Sequence, residues 1–367
     1  MTVKIERPSF NLREKLSELD RPVGNLGTEI LKTNTIDEFF HNYAIGRKNL
    51  LINGQFDVWQ RGTSFANQGS GNTGYKADRW RIYSASGSVV TITRESFNPG
   101  QNKVPGNPRY MLRLSNVPDA NTTWMEIEQR VEGVTRFSDC WVTISFWIRA
   151  NQPQFGNDRL RVAQVFGSGG SSSVVIGDTK FNISTDWERK VFTYYCPTIS
   201  GKTVGASSFF EMKTLQTSAT QADTYYDVAN FQMEYGRQAT PFEQRSLGEE
   251  LQLCRRYYQV LVDQAGTSSQ KSFGIACAFS GSSMHSVHPL IPPMRTTPTI
   301  DYTTGSNYYK AYFNNTSDSY DSISLVGNSH PHAADLMVSS GLSVTQGNAV
   351  LLRTQNGASK IAFQAEL

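Results

Sequence analysis

The sequence predicts a mainly β protein: an N-terminal helical anchor arm, a jelly-roll β-sandwich, a short bridging helix and a smaller C-terminal β domain. Three observations support this. Only 18% of residues are charged, while Gly, Ser, Thr, Asn, Tyr and Phe are plentiful, a mixture that suits pleated sheets joined by polar turns. Apolar and polar residues alternate with a period of two through most of the stretch from Asn49 to Arg245, as half-buried strands require. No alternation of strand and helix patterns is visible, which excludes a doubly wound fold. At 367 residues the chain can bury more than one core.

The arm, residues 1–48, reads as two short helices. Asn11 and Glu14 make a capping-box-like start, Leu12, Leu16 and Leu19 share a face, and Pro22 ends the first helix. The second starts at Thr35 with Glu38 in the third position, carries Ile36, Phe39, Phe40 and Tyr43, and stops at Gly46. Helices this short are marginal alone, so Phe10 and these apolar residues are the expected docking or trimerising surface.

The sandwich is assigned to 49–246. Its clearest strand is Trp141 to Arg149, with Val142, Ile144, Phe146 and Ile148 on one face and Trp141, Thr143, Ser145, Trp147 and Arg149 on the other. Similar runs are Ser88–Thr93, Tyr110–Ser115, Trp124–Val131, Arg159–Phe166, Arg189–Tyr195 and Tyr225–Met233, split by loops such as 98–108 and 167–173. From Leu247 to Val262 the spacing of Leu247, Leu251, Cys254 and Tyr258 predicts a helix bridging to a β domain over 263–367. The prolines within 289–298 mark an extended crossing or edge segment.

Charge excludes some functions. The 35 basic and 32 acidic residues nearly cancel to +3 with no block of like charges, so no basic stripe marks a nucleic-acid partner. Cys140, Cys196, Cys254 and Cys277 show no metal-ligand spacing and read as free thiols. The N-terminus lacks the apolar run of a signal peptide, and no stretch approaches the roughly 20 apolar residues of a membrane span. The expectation is synthesis in a cytoplasm, with a released particle as the route outward.

NLLINGQFDVWQRGTSF at Asn49–Phe65, ADRW at Ala77–Trp80, WVTISFWIRA at Trp141–Ala150 and VANFQMEYGRQATPFEQRSLGEELQLCRRYYQ at Val228–Gln259 occur in an order that resembles a class of tailed-phage virion proteins, the tail-fibre, tail-appendage and head-fibre components. ERPSFNLREKLSEL at Glu6–Leu19 is similar to the leaders of marine-phage members. The resemblance implies a jelly roll like that of carbohydrate-binding modules, a homotrimer, and attachment to other virion proteins through the arm. The motifs also have a physical reading: Asp78 and Arg79 are expected to pair and fix a loop beside a buried Trp80, while Pro241 ends the last strand.

Candidate chemistry is sparse. Glu126 and Glu128, two apart on a strand, lie roughly 6 to 7 Å from each other, near the separation used by inverting glycosidases; the competing reading is a solvated sheet face, and no catalytic fingerprint accompanies them. His330 and His332 would surround a transition metal if three copies met on an axis, against the reading of plain loop histidines; His285 and His288 are the other close pair. Structural calcium would fall to Asp227 or Asp57, and no other cofactor is expected. Aromatic platforms for sugar are sought among Trp59, Tyr83, Trp124, Trp141, Tyr225 and Tyr226, and in the C-terminal domain among Tyr308, Tyr309, Tyr312 and Tyr320. The expected function is a trimeric, non-enzymatic adsorption component of a virion that touches host surface polysaccharide; the alternatives are a head decoration or connector without glycan binding, and a glycan depolymerase.

Overall fold

The computed structural model describes residues 47–69, 74–84, 89–116, 125–217, 224–305 and 307–367. The helical arm with Phe10, Leu12, Leu16, Leu19, Ile36, Phe39, Phe40 and Tyr43, and the candidate Trp124, lie outside them.

Twelve strands form the sandwich: β1 (Ser64–Gln68), β2 (Gly74–Tyr75), β3 (Arg81–Ser84), β4 (Val90–Ser96), β5 (Tyr110–Asn116), β6 (Met125–Glu132), β7 (Cys140–Ala150), β8 (Gln154–Val165), β9 (Val174–Ile183), β10 (Glu188–Cys196), β11 (Phe209–Thr217) and β12 (Tyr225–Tyr235). They make two antiparallel six-stranded sheets, ordered β1-β4-β5-β12-β7-β10 and β2-β3-β6-β11-β8-β9. Alternation decides what each strand buries. Ile92, Leu112, Leu114, Ile144, Phe146, Ile148 and Val228 of the first sheet meet Ile82, Ile127, Leu160, Val162, Phe210 and Met212 of the second in one core. Dispersion and removal of apolar area from water hold the sheets together there.

The motif segments close one end of this core. Asn49 donates its amide to Phe231 O (2.9 Å) and accepts from Met233 N (3.1 Å). Trp80 is fully buried between Phe56 and Phe231, with ring centroids at 5.1 and 4.8 Å. At Gly54 any Cβ would stand 2.2 Å from Phe231 O, so the loop approaches β12 only because that residue has no side chain. Asp78 and Arg79 do not pair with each other. Asp78 accepts from Gln60 N (3.0 Å) and faces Arg61 (3.8 Å), whereas Arg79 reaches Glu366 and donates to Arg130 O (2.6 Å). The left-handed backbone at Arg79 (φ 70°) turns its side chain away from its neighbour.

The bridging helix α1 spans Leu247–Arg255, capped by Ser246 accepting from Glu249 N. It is shorter than expected: Tyr258–Asp263 is strand β13. Aromatic and β-branched residues there pair with β22 (Lys360–Gln364), and tertiary pairing overrides the helical spacing. The C-terminal domain adds β14 (Ser272–Ala278), β15 (Met284–Pro289), β16 (Thr299–Tyr302), β17 (Tyr309–Phe313), β18 (Thr316–Tyr320), β19 (Ser324–Leu325), β20 (Ala333–Val338) and β21 (Ala349–Thr354). A three-stranded sheet, β13-β22-β16, and a seven-stranded sheet, β18-β17-β21-β14-β15-β20-β19, share a second core that includes Val262, Met284, Tyr309, Leu336, Leu352 and Phe363.

Candidate functional site

Register places three charged side chains in one row on the outer face of the first sheet. Asp227 of β12 lies directly opposite Arg113 of β5 and Arg149 of β7, and directly opposed residues project to the same side. Arg113 donates to Asp227 through Nε (2.7 Å) and Nη2 (2.9 Å), and Arg149 donates through Nε (2.9 Å). Asp227 is fully buried under the two guanidiniums. Its hydrogen bond raises the pKa of Arg113. Each guanidinium carries five N–H donors in a fixed plane, so the row is a pre-set donor array whose geometry the buried carboxylate holds.

Aromatic rings border the row. The Arg113 guanidinium lies 3.9 Å from the Tyr225 ring centre, and that of Arg149 lies 5.2 Å from Trp187. Trp187 and Phe97 are 5.3 Å apart and tilted by 36°. With Met111, Ser96, Asn98, Gln101, Thr185 and Asp186 they line a trough of about 350 Å³, at the small end of ligand-sized cavities. The loop after β4 folds over the sheet here, because Val104 buries itself against Met111 and Ala229. Beyond that loop a second hollow of about 290 Å³ is lined by Trp147, Arg189, Asn230 and Phe242. One face therefore offers flat apolar rings beside fixed donors and acceptors, the combination that covers the apolar face of a pyranose while bonding its hydroxyls.

The opposite face carries a row of charges, with Tyr83 opposite Glu126 and the Phe209 ring centre 4.6 Å from the Arg130 guanidinium. Arg81, Glu128, Lys213, Arg161 and Asp178 form a row across β3, β6, β11, β8 and β9. Glu128 is buried and paired to Arg81 and Arg130, each at 2.5 Å, and Lys213 stands 3.3 Å from Glu126 and 3.2 Å from Glu211. Burial opposes the charge of Glu128, but Arg130, Lys213 and Arg81 together hold it below the usual carboxylate range; burial pushes Glu211 up. Glu126 and Glu128 are thus neither a solvated face nor two carboxylates open to substrate. Both belong to an ion-paired surface on which the chain's end also lies, with Tyr75 and Arg130 donating to Leu367 O.

Of the other sequence candidates, only Tyr225 borders the arginine row, through its contact with Arg113. Trp59 is buried with its indole N–H donated to Phe56 O, and Tyr226 and Tyr309 are core residues, so none of the three presents a ring to solvent. Tyr83 is half-buried on β3, facing the charged side opposite Glu126. Trp141 is half-buried and meets Tyr195 (5.4 Å) and Arg237 (4.3 Å) on the outer face of the first sheet. Tyr308 and Tyr312 are half-buried in the C-terminal domain, while Tyr320 is buried.

The calcium candidates have other surroundings. Asp227 is occupied by two arginines, and Asp57 has a buried oxygen without a hydrogen-bond partner and a pKa raised by burial. Among the described residues no group of three or more His, Cys, Asp or Glu side chains gathers to hold a metal. His330 and His332 are exposed, with rings 5.9 Å apart.

No protein-family model matches the chain, and no curated protein matches it. Among solved structures it is similar to one described as "CBM4 structure and function", at 18% identity over 50% of this chain and 98% of that chain (TM-score 0.31). It is also similar to the CBM22-1 xylan-binding domain of Paenibacillus barcinonensis, at 13% identity over 53% and 99% (TM-score 0.31). A third is a CBM61 module in complex with β-1,4-galactotriose, at 11% identity over 52% and 100% (TM-score 0.30).

Proposed function

We propose that the chain is a structural, non-enzymatic component of a tailed-phage virion, a trimeric tail fibre or adsorption appendage that holds host surface glycans on the outer face of its first sheet. The carrying observation for glycan binding is the trough itself, with Trp187 and Phe97 beside the Arg113–Asp227–Arg149 row. Flat rings supply apolar contact and the guanidiniums supply directional donors. Sites of this kind are weak singly, and three copies on one appendage raise retention by avidity.

The virion reading rests on the order of the motifs from Asn49 to Gln259, and the anchoring of the arm to other virion proteins rests on its sequence alone. The protein would be assembled into particles in the host cytoplasm and leave with them. Two experiments test the proposal. The full chain applied to an array of bacterial surface polysaccharides is expected to retain a subset of them, and a density map of the particle is expected to place the chain in an adsorption appendage.

One observation favours a second reading, a connector or decoration protein without glycan binding. The outer face of the seven-stranded sheet exposes Ile275, Phe279 and Val287, with Ile291 beyond the end of β15, and carries a hollow of about 600 Å³ beside Ile275, Tyr312 and Leu351. Apolar surface of this kind suits contact with another chain. Silence across host polysaccharides combined with tight binding to a capsid or tail-tube protein selects this reading.

A further inference from the structure

Cys140 opens β7 and Cys196 closes β10, and the ladder pairs them directly. Opposed residues of an antiparallel pair have Cα atoms about 4.5 to 5.5 Å apart, inside the roughly 4.4 to 6.8 Å that a disulfide spans. Both side chains point to the same side of the sheet, into the sandwich core. Cys196 is buried and Cys140 is partly exposed.

We propose that Cys140 and Cys196 form an oxidation site that closes into a cross-strand disulfide when the chain meets a small-molecule disulfide such as oxidised glutathione. The two thiols hydrogen-bond to each other, which holds Cys140 below the usual thiol range and pushes Cys196 up. Cys140 is therefore the entry point, being both the readier thiolate and the accessible one. Its thiolate attacks one sulfur of the oxidant, forming a mixed disulfide and expelling the other half as a thiolate. Cys196 then loses its proton and attacks Cys140 Sγ, expelling the second half. Two protein thiols are oxidised, one small disulfide is reduced to two thiols, and the two protein protons pass to the released thiols.

The bridge ties the two ends of the stretch from Cys140 to Cys196 to each other. It restricts the unfolded chain far more than the folded one, in which the strands are already paired. In a reducing cytoplasm the pair stays as thiols, and exposure to an oxidising medium closes it. Cys254 is buried in α1 and Cys277 is exposed on β14, and Cys277 reports whether the oxidant is active.

The test is peptide mapping of the full chain after incubation with oxidised glutathione and alkylation without reduction. The expected result is one bridged peptide pair joining Cys140 to Cys196, lighter by two hydrogens than the separate thiol peptides. The melting temperature should rise by roughly 3 to 8 °C, reversibly with reductant. Neither change should occur in Cys140→Ser or in Cys196→Ala. The proposal is overturned if both cysteines remain alkylated, or if Cys140 stops as a stable glutathione adduct, while Cys277 in the same sample is oxidised.

Discussion

Arg79 joins the sandwich to the C-terminal domain through one fully buried guanidinium. It lies 3.5 Å from the Tyr257 ring centre, pairs with Glu366 and donates to Arg130 O (2.6 Å). Removing one partner of a buried pair strands the other charge. Arg79→Met is therefore expected to cost about 3 kcal/mol in urea unfolding, and a loss under about 1 kcal/mol would mean that the pair is screened by water. Sequence reasoning identified Arg79 as an ion-pair residue and gave it the wrong partner, because Glu366 is distant in sequence and only folding brings it near.

His288 supplies a pH test at the same scale. Its ring is buried, Ser286 Oγ is 3.0 Å from Nε2, and burial lowers its pKa against the opposing influence of Asp335. The unfolded chain then takes the proton first as pH falls through about 6.5, so folded stability drops on the acid side and is retained above it. Melting curves between about pH 7 and 5 should fall less steeply for His288→Gln than for the wild type; equal slopes would remove His288 from the account. Period two already separated Tyr225 from Tyr226, since adjacent strand residues face opposite ways and Val228 fixes the inner parity. Applying that parity would have struck Tyr226 from the platform candidates.

At the scale of elements, strands with strong alternation were legible to within a few residues. The expected Trp141–Arg149 is Cys140–Ala150, and Tyr110–Ser115 is Tyr110–Asn116. Strands β1, β2, β3, β9 and β11 were not among the runs named: β1, β2 and β3 are only two to five residues long, β9 opens on Val174, Val175 and Ile176 without alternation, and the inward residues of β11 alternate with charges that pair across the outer face instead of reading as a solvated side. The site was legible only in part. Trp147 and Arg149 were placed together on one face of their strand, but Phe97, Arg113 and Trp187 come from separate strands and loops, and period alone does not bring them together.

A bulge between Ala229 and Gln232 resets the register of β12, which lets both Asp227 and Gln232 face outward while Phe231 stays in the core. Asn230 makes the bulge with a left-handed backbone (φ 52°) and an amide donated to Pro105 O (3.0 Å). Asn tolerates that conformation and a β-branched residue does not. Asn230→Val is expected to lose about 2 kcal/mol and Asn230→Gly much less, as read by chemical denaturation; equal losses would locate the effect in the amide contact instead.

At the scale of the molecule, the two faces of the sandwich divide their tasks. On the second sheet's outer face the donors are engaged in ion pairs, including Arg130 beside the Phe209 ring, whereas the first sheet's outer face sets Trp187 and Phe97 along a trough beside the Arg113–Asp227–Arg149 row. The proposed trimer rests on the arm's sequence. Sedimentation should find a trimer for the wild type; a wild-type monomer would remove the avidity argument.

The most direct measurement is a titration of the full chain and of Trp187→Ala with a host surface polysaccharide retained on the array, with melting temperature as the check on folding. Loss of a stacking ring should weaken binding by about tenfold, or roughly 1.4 kcal/mol, with the variant still folded. Unchanged affinity in a folded Trp187→Ala protein would place any sugar elsewhere and contradict the assignment of this face.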